Sequence, residues 1–144
     1  MDQRQDNNIT NTTVSGNLNY NPIQVNNNYG PKDPLDNKSD QEKAEYYNRE
    51  GNAKIGISDK EAIENFNQSI LCDGSLPAPY IGLGTIEYRQ GNLNAALGHF
   101  RKAEFLYAKF PTLAAQRAEV NKLIQKISNQ INSKQKKSWF RQFF

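Results

Sequence analysis

Apolar side chains recur at helical spacing through the second half of the chain and find no such rhythm in its first forty or so residues. Leu93, Leu97, Phe100, Ala103 and Leu106 or Tyr107 follow one another at helical intervals, which predicts a helix over about 94–108 with those residues buried. A preceding helix is predicted over about 79–90, and Gly91-Asn92 reads as the turn between the two. Glycine tolerates the left-handed conformation that closes a helix, and asparagine is suited to open the next one. Two earlier helices are predicted over about 40–54 and 60–72, joined by a turn near Gly56 to Asp59. Ser58 or Asp59 is the expected cap of the second, with Glu61 in its first turn where the helix dipole favours acid. Asp73-Gly74-Ser75-Leu76-Pro77 ends it. Beyond Pro111-Thr112, with Thr112 as the expected cap, Val120, Ile124, Ile127 and Ile131 recur with 4-3-4 spacing. That narrow stripe suits either a helix covering the pair before it or a short coiled-coil seam.

The helices repeat. Ala62 and Ala96 are 34 residues apart, and the same step carries Tyr46 to Tyr80, Ile63 to Leu97, Phe66 to Phe100 and Ser69 to Ala103. A helix–turn–helix period of that length, with Tyr80, Leu83-Gly84, Ala96 and Phe100 in one unit, resembles the tetratricopeptide repeat. Gly84 and Ala96 are small where two helices of such a unit approach, and Leu83 and Phe100 supply bulk beside them. The pattern is departed from at Glu87, where tyrosine is usual beside Tyr88, at Ala108, where proline is usual, and at Gly51, which precedes Gly84 by 33 residues.

The resemblance implies an all-α fold, a short helical-repeat α-solenoid over about 41–131, with units near 42–76 and 77–111 and a covering helix near 112–131. It also implies a non-enzymatic adaptor that binds a peptide or partner domain on its inner helices. Carried over position by position, the partner-binding residues are Ile81, Thr85, Tyr88 and Arg89, with Tyr47 in the first unit. Gly82 stands where some family members place an asparagine to hold a peptide carboxylate, which disfavours that mode. Two units are few for a solenoid, so the expectation includes a homodimer.

Residues 1–40 form an Asn-rich head punctuated by Gly16, Pro22, Gly30, Pro31 and Pro34, which predicts disorder. Two patches, Val14–Tyr20 and Ile23–Val25, alternate in a way that suits a strand given a partner. The stretch Ile23 to Gly30 resembles short amyloid-forming signalling motifs but departs from them at Asn26, where glycine is expected. A self-assembling signalling module is therefore one alternative function.

Residues 132–144 are a basic and aromatic amphipathic tail. Drawn as a helix, Trp139, Phe140, Phe143 and Phe144 share one side, while Lys134, Lys137 and Arg141 fall mostly on another, with Lys136 among them in sequence. The aromatics either fold back on the core, contact another protein or copy, or enter an anionic membrane surface with the cations at the phosphates. A peripheral membrane protein is thus the other alternative.

Charge and chemistry narrow the choice. The net charge of +3 is small and lopsided: Lys134, Lys136, Lys137 and Arg141 stand in the last eleven residues without an acid. One short basic cluster makes nucleic acid a poor partner. With one cysteine, Cys72, and one histidine, His99, there is no intrachain disulfide and no Cys/His zinc spacing. A Gly-rich phosphate loop, a nucleophile beside a histidine and a paired-carboxylate frame are all missing from the sequence, so neither an enzyme nor a cofactor is expected. The mean hydropathy of −0.86, the lack of a roughly 20-residue apolar run and a polar opening lead to the expectation of a soluble, cytoplasmic protein, peripheral to a membrane at most.

Overall fold

The computed structural model describes residues 33–144. The strand-compatible patches and nearly all of the Asn-rich head lie outside the described residues. Among the described residues the regular structure is all helical: α1 (Asp40–Lys54), α2 (Asp59–Cys72), α3 (Ala78–Arg89), α4 (Leu93–Tyr107), a 3₁₀ turn at Pro111–Leu113, and α5 (Ala114–Phe143). Helix α5 continues without a break through the residues read as a separate tail.

Local chemistry sets the boundaries. Ser39 and Glu42 form a capping box: the Glu42 backbone N–H donates to Ser39 Oγ at 3.3 Å, and the Ser39 N–H donates to Glu42 Oε2 at 2.8 Å. Before it lies a turn in which Leu35 is buried, its N–H donating to Asp33 Oδ1 at 2.9 Å. Helix α2 starts at the expected cap, Ser58, whose side chain accepts from the Glu61 N–H. Helix α3 closes on Gly91 at φ 82°, with the Asn92 N–H donating to the Glu87 carbonyl and the Gly91 N–H to that of Tyr88.

One expectation about caps is refined and another corrected. Asn92 stands at the N-cap position of α4, its carbonyl accepting the Ala96 N–H at 3.0 Å, but its side chain makes no capping bond; the side-chain amide turns back and donates to Glu87 Oε2 at 2.7 Å. Thr112 does not cap α5, because Pro111–Leu113 wind into a 3₁₀ turn and the helix begins after Leu113 without a side-chain cap.

Short connections fold α1 back on α2 and α3 on α4; α3 packs on α2 and touches α1, and α5 lies along α4. The buried side chains form two clusters. Ala62, Phe66, Leu83 and Ile86 make the first, with Ile55, Ile63 and Ile70 at its edge. Ala96, Phe100, Ala103, Val120 and Ile127 make the second, flanked by Tyr80, Ile81, Leu97, Ile124 and Ile131 among others. Residues 34 apart match in burial: Ala62 and Ala96, Phe66 and Phe100, Ser69 and Ala103 are all inaccessible or nearly so.

Small residues let the helices meet. The Phe66 ring is pressed between two glycines: a Cβ on Gly51 would come within 2.7 Å of Cε1, and one on Gly82 would come closer still. Gly84 stands in the same relation to Phe100, at 3.1 Å. Ser69 is fully buried and satisfied, its hydroxyl donating across to the Ala44 carbonyl at 2.6 Å and tying α2 to α1.

Candidate interaction surface

The C-terminal end of α3 and the middle of α5 flank an open cleft of about 820 Å³. Tyr88 and Arg89 contribute from α3, and Lys126, Asn129, Gln130 and Lys134 from α5. Tyr88 is the bridge between the two walls. Its hydroxyl accepts a hydrogen bond from Gln130 Nε2 at 3.1 Å, and Lys126 Nζ lies 5.7 Å from the centre of its ring. The Gln130 bond, assisted by the positive charge of Lys126, draws the phenol below its ordinary pKa.

Arg89 is held at the edge by Asp59, with Nη1 3.3 Å from Oδ1. The Gly56 N–H donates to the same carboxylate oxygen at 3.0 Å; that bond first, and Arg89 second, hold Asp59 below its ordinary value. The cleft lining carries three cationic side chains and no carboxylate. Such a wall attracts anionic groups, and the amides of Asn129 and Gln130 add neutral hydrogen-bonding capacity.

The five residues expected to contact a partner are dispersed. Tyr88 and Arg89 line the cleft. Ile81 packs against the second core cluster. Thr85 donates its hydroxyl to the Ile81 carbonyl at 2.8 Å and borders a recess of about 120 Å³ shared with Tyr88, Leu123 and Lys126. Tyr47 is on α1, stacked edge-on against Tyr46 with ring centres 5.5 Å apart. Sequence reasoning missed the α5 wall. Its signal is present, since Lys126, Gln130 and Lys134 are spaced by four, and the first two sit one residue before the apolar positions Ile127 and Ile131.

At the far end of α5, Trp139, Phe140, Phe143 and Phe144 are 52 %, 56 %, 61 % and 93 % exposed. They touch one another: Trp139 lies 5.2 Å from Phe140 and 5.2 Å from Phe143 between ring centres, and Phe140 lies 5.8 Å from Phe144. Lys137 and Arg141 line a shallow hollow with Lys134 and Ser138, and Lys136 is exposed nearby. No helix among the described residues is long and apolar enough to cross a membrane. Cys72 is half-buried at the end of α2 and His99 half-buried on α4, and no group of three metal-ligating side chains is gathered among the described residues.

Compared with protein-family models, curated protein sequences and solved structures, the chain matches none of them.

Proposed function

We propose that this chain is a non-enzymatic adaptor, a short tetratricopeptide-like helical repeat that takes an acidic peptide segment into the cleft between α3 and α5. The observation that carries the reading is the lining of that cleft: Arg89, Lys126 and Lys134 around Tyr88, with amides between them and no carboxylate. The matched burial of residues 34 apart supports the repeat reading, and α5 on α4 is what a covering helix does for the last unit of such a stack. Fold analogy suggests the class of function; the choice of an acidic ligand comes from the lining itself.

The test is selection from a displayed random-peptide library against the full chain, with Lys126→Glu and Tyr88→Ala as counter-targets. Enrichment of acidic peptides that lose binding to Lys126→Glu is expected. Enriched peptides that bind both variants as well as the parent, or no enrichment over a blank surface, would overturn the assignment.

A further inference from the structure

We propose that the distal turns of α5 are a seat for an anionic phospholipid bilayer, with the aromatic cluster entering the headgroup boundary and the cations lying at the phosphates. The aromatic cluster lies beyond the cleft along α5, the two surfaces meeting at Lys134, and its reading does not depend on the adaptor assignment.

Three observations carry it. First, the helix outruns the body. Ile131 is the last residue that packs on the core, and residues 132–144 are all exposed, so about 18 Å of helix projects beyond it. Second, the exposed aromatic side chains are contiguous. Trp139, Phe140, Phe143 and Phe144 touch one another and are each more than half exposed, so the cluster presents apolar and amphipathic rings outward. Third, the surrounding charge has one sign. Glu119 is the last acid of the sequence, and Lys122, Lys126, Lys134, Lys136, Lys137 and Arg141 follow it.

Placement matters as much as number. At 100° per residue, Trp139 and Phe143 lie about 40° apart, as do Lys137 and Arg141, so aromatics and cations form two neighbouring stripes. A helix lying in the interface with its rings downward sets the Lys137–Arg141 stripe at the level of the phosphates. Lys136 emerges on the aromatic side one turn earlier, where its aliphatic stem can run along the rings while its amine reaches the headgroups. Tryptophan and phenylalanine flanked by lysine and arginine form the combination that an anionic interface rewards on both counts.

Charge also decides between occupants. A second copy of this tip would bring like-charged clusters together without an acid to separate them, whereas an anionic surface neutralises them. A nucleic acid would be met by a charge stripe of only a few turns, with rings exposed on the neighbouring side.

The chain contains one tryptophan, Trp139, so its emission reports this surface alone. Full-length protein is titrated with vesicles of phosphatidylcholine and of phosphatidylcholine with phosphatidylserine, following emission, shielding from an aqueous quencher, and flotation. A blue shift and shielding with the anionic vesicles only, reversed by salt, are expected. Lys137→Gln with Arg141→Gln should weaken the affinity roughly 25-fold, about fivefold per cation. Trp139→Ala with Phe143→Ala should abolish flotation while leaving the helical circular dichroism intact, since neither residue packs on the body. An equal response to both vesicle types overturns the proposal, as does no response to either. A blue shift in buffer alone that grows with protein concentration assigns the tip to a second copy, and a response to an oligonucleotide but not to vesicles assigns it to nucleic acid; both also overturn it.

Discussion

The Phe66 ring fills the space that a side chain on Gly82 would need. One residue of α2 thereby requires the absence of a side chain on α3, and Gly51 of α1 closes on the same ring from its own helix. Alanine at position 82 would gain about 1 kcal/mol in helix propensity but lose up to about 3 kcal/mol in overpacking. Gly82→Ala is therefore expected to lower the unfolding free energy from urea denaturation by a net 1–2 kcal/mol, roughly, while Phe66→Leu in the same chain recovers part of the loss. A Gly82→Ala variant more stable than the parent would show that the ring lies elsewhere.

Ser69 offers a smaller and cleaner test. Its hydroxyl is the one buried polar contact that links α2 to α1 over 25 residues of sequence, donating to the Ala44 carbonyl. Ser69→Ala removes the donor and leaves a carbonyl inside a helix, so the expected loss is about 1 kcal/mol by chemical denaturation.

Two glycines in open space should respond with opposite signs. A Cβ on Gly91 or on Gly98 would meet no neighbouring atom, yet Gly91 has φ 82° and Gly98 lies inside α4. Gly91→Ala should cost about 1–2 kcal/mol, the penalty of a left-handed alanine. Gly98→Ala should gain up to about 1 kcal/mol from helix propensity. Paired thermal melts decide the matter.

Acid should weaken the fold in a defined direction. Glu42 is held below its ordinary pKa by the Ser39 backbone N–H, Asp59 by that of Gly56 and Glu61 by Lys54. In each case the unfolded chain takes up the proton first as pH falls, so the stabilisation is complete above the ordinary carboxylate range and is lost on the way down through it. Asp59→Asn should flatten that slope in thermal melts below about pH 5, most visibly at low salt because the carboxyl is exposed.

The sequence announced its helices where local chemistry marks the ends. Ser58, Pro79 and Gly91 fix starts and stops within a residue or two. It misled where two local chemistries compete. Thr112 is a good cap in isolation, but the preceding proline winds the turn past it. Asn92 is suited to open α4, but Glu87 lies within reach and takes its amide. The cleft was half legible, since the resemblance to a helical repeat pointed to Tyr88 and Arg89, whereas Gln130 meets Tyr88 across 42 residues. A contact at that separation depends on how α5 is laid down on α4, and the 4-3-4 stripe fixes only which face of α5 is apolar.

Because α5 is one unbroken helix from the covered part to the aromatic end, the two share a rotational phase. Inserting a single alanine after Asn132 would turn the aromatic stripe by about 100° and advance it by about 1.5 Å, with charge and aromatic content unchanged. Seven inserted residues would bring the stripe back to within about 20° of its original bearing. The heading of the cleft relative to whatever the rings touch is thus set by residue count, as the teeth of a gear set the angle of its shaft.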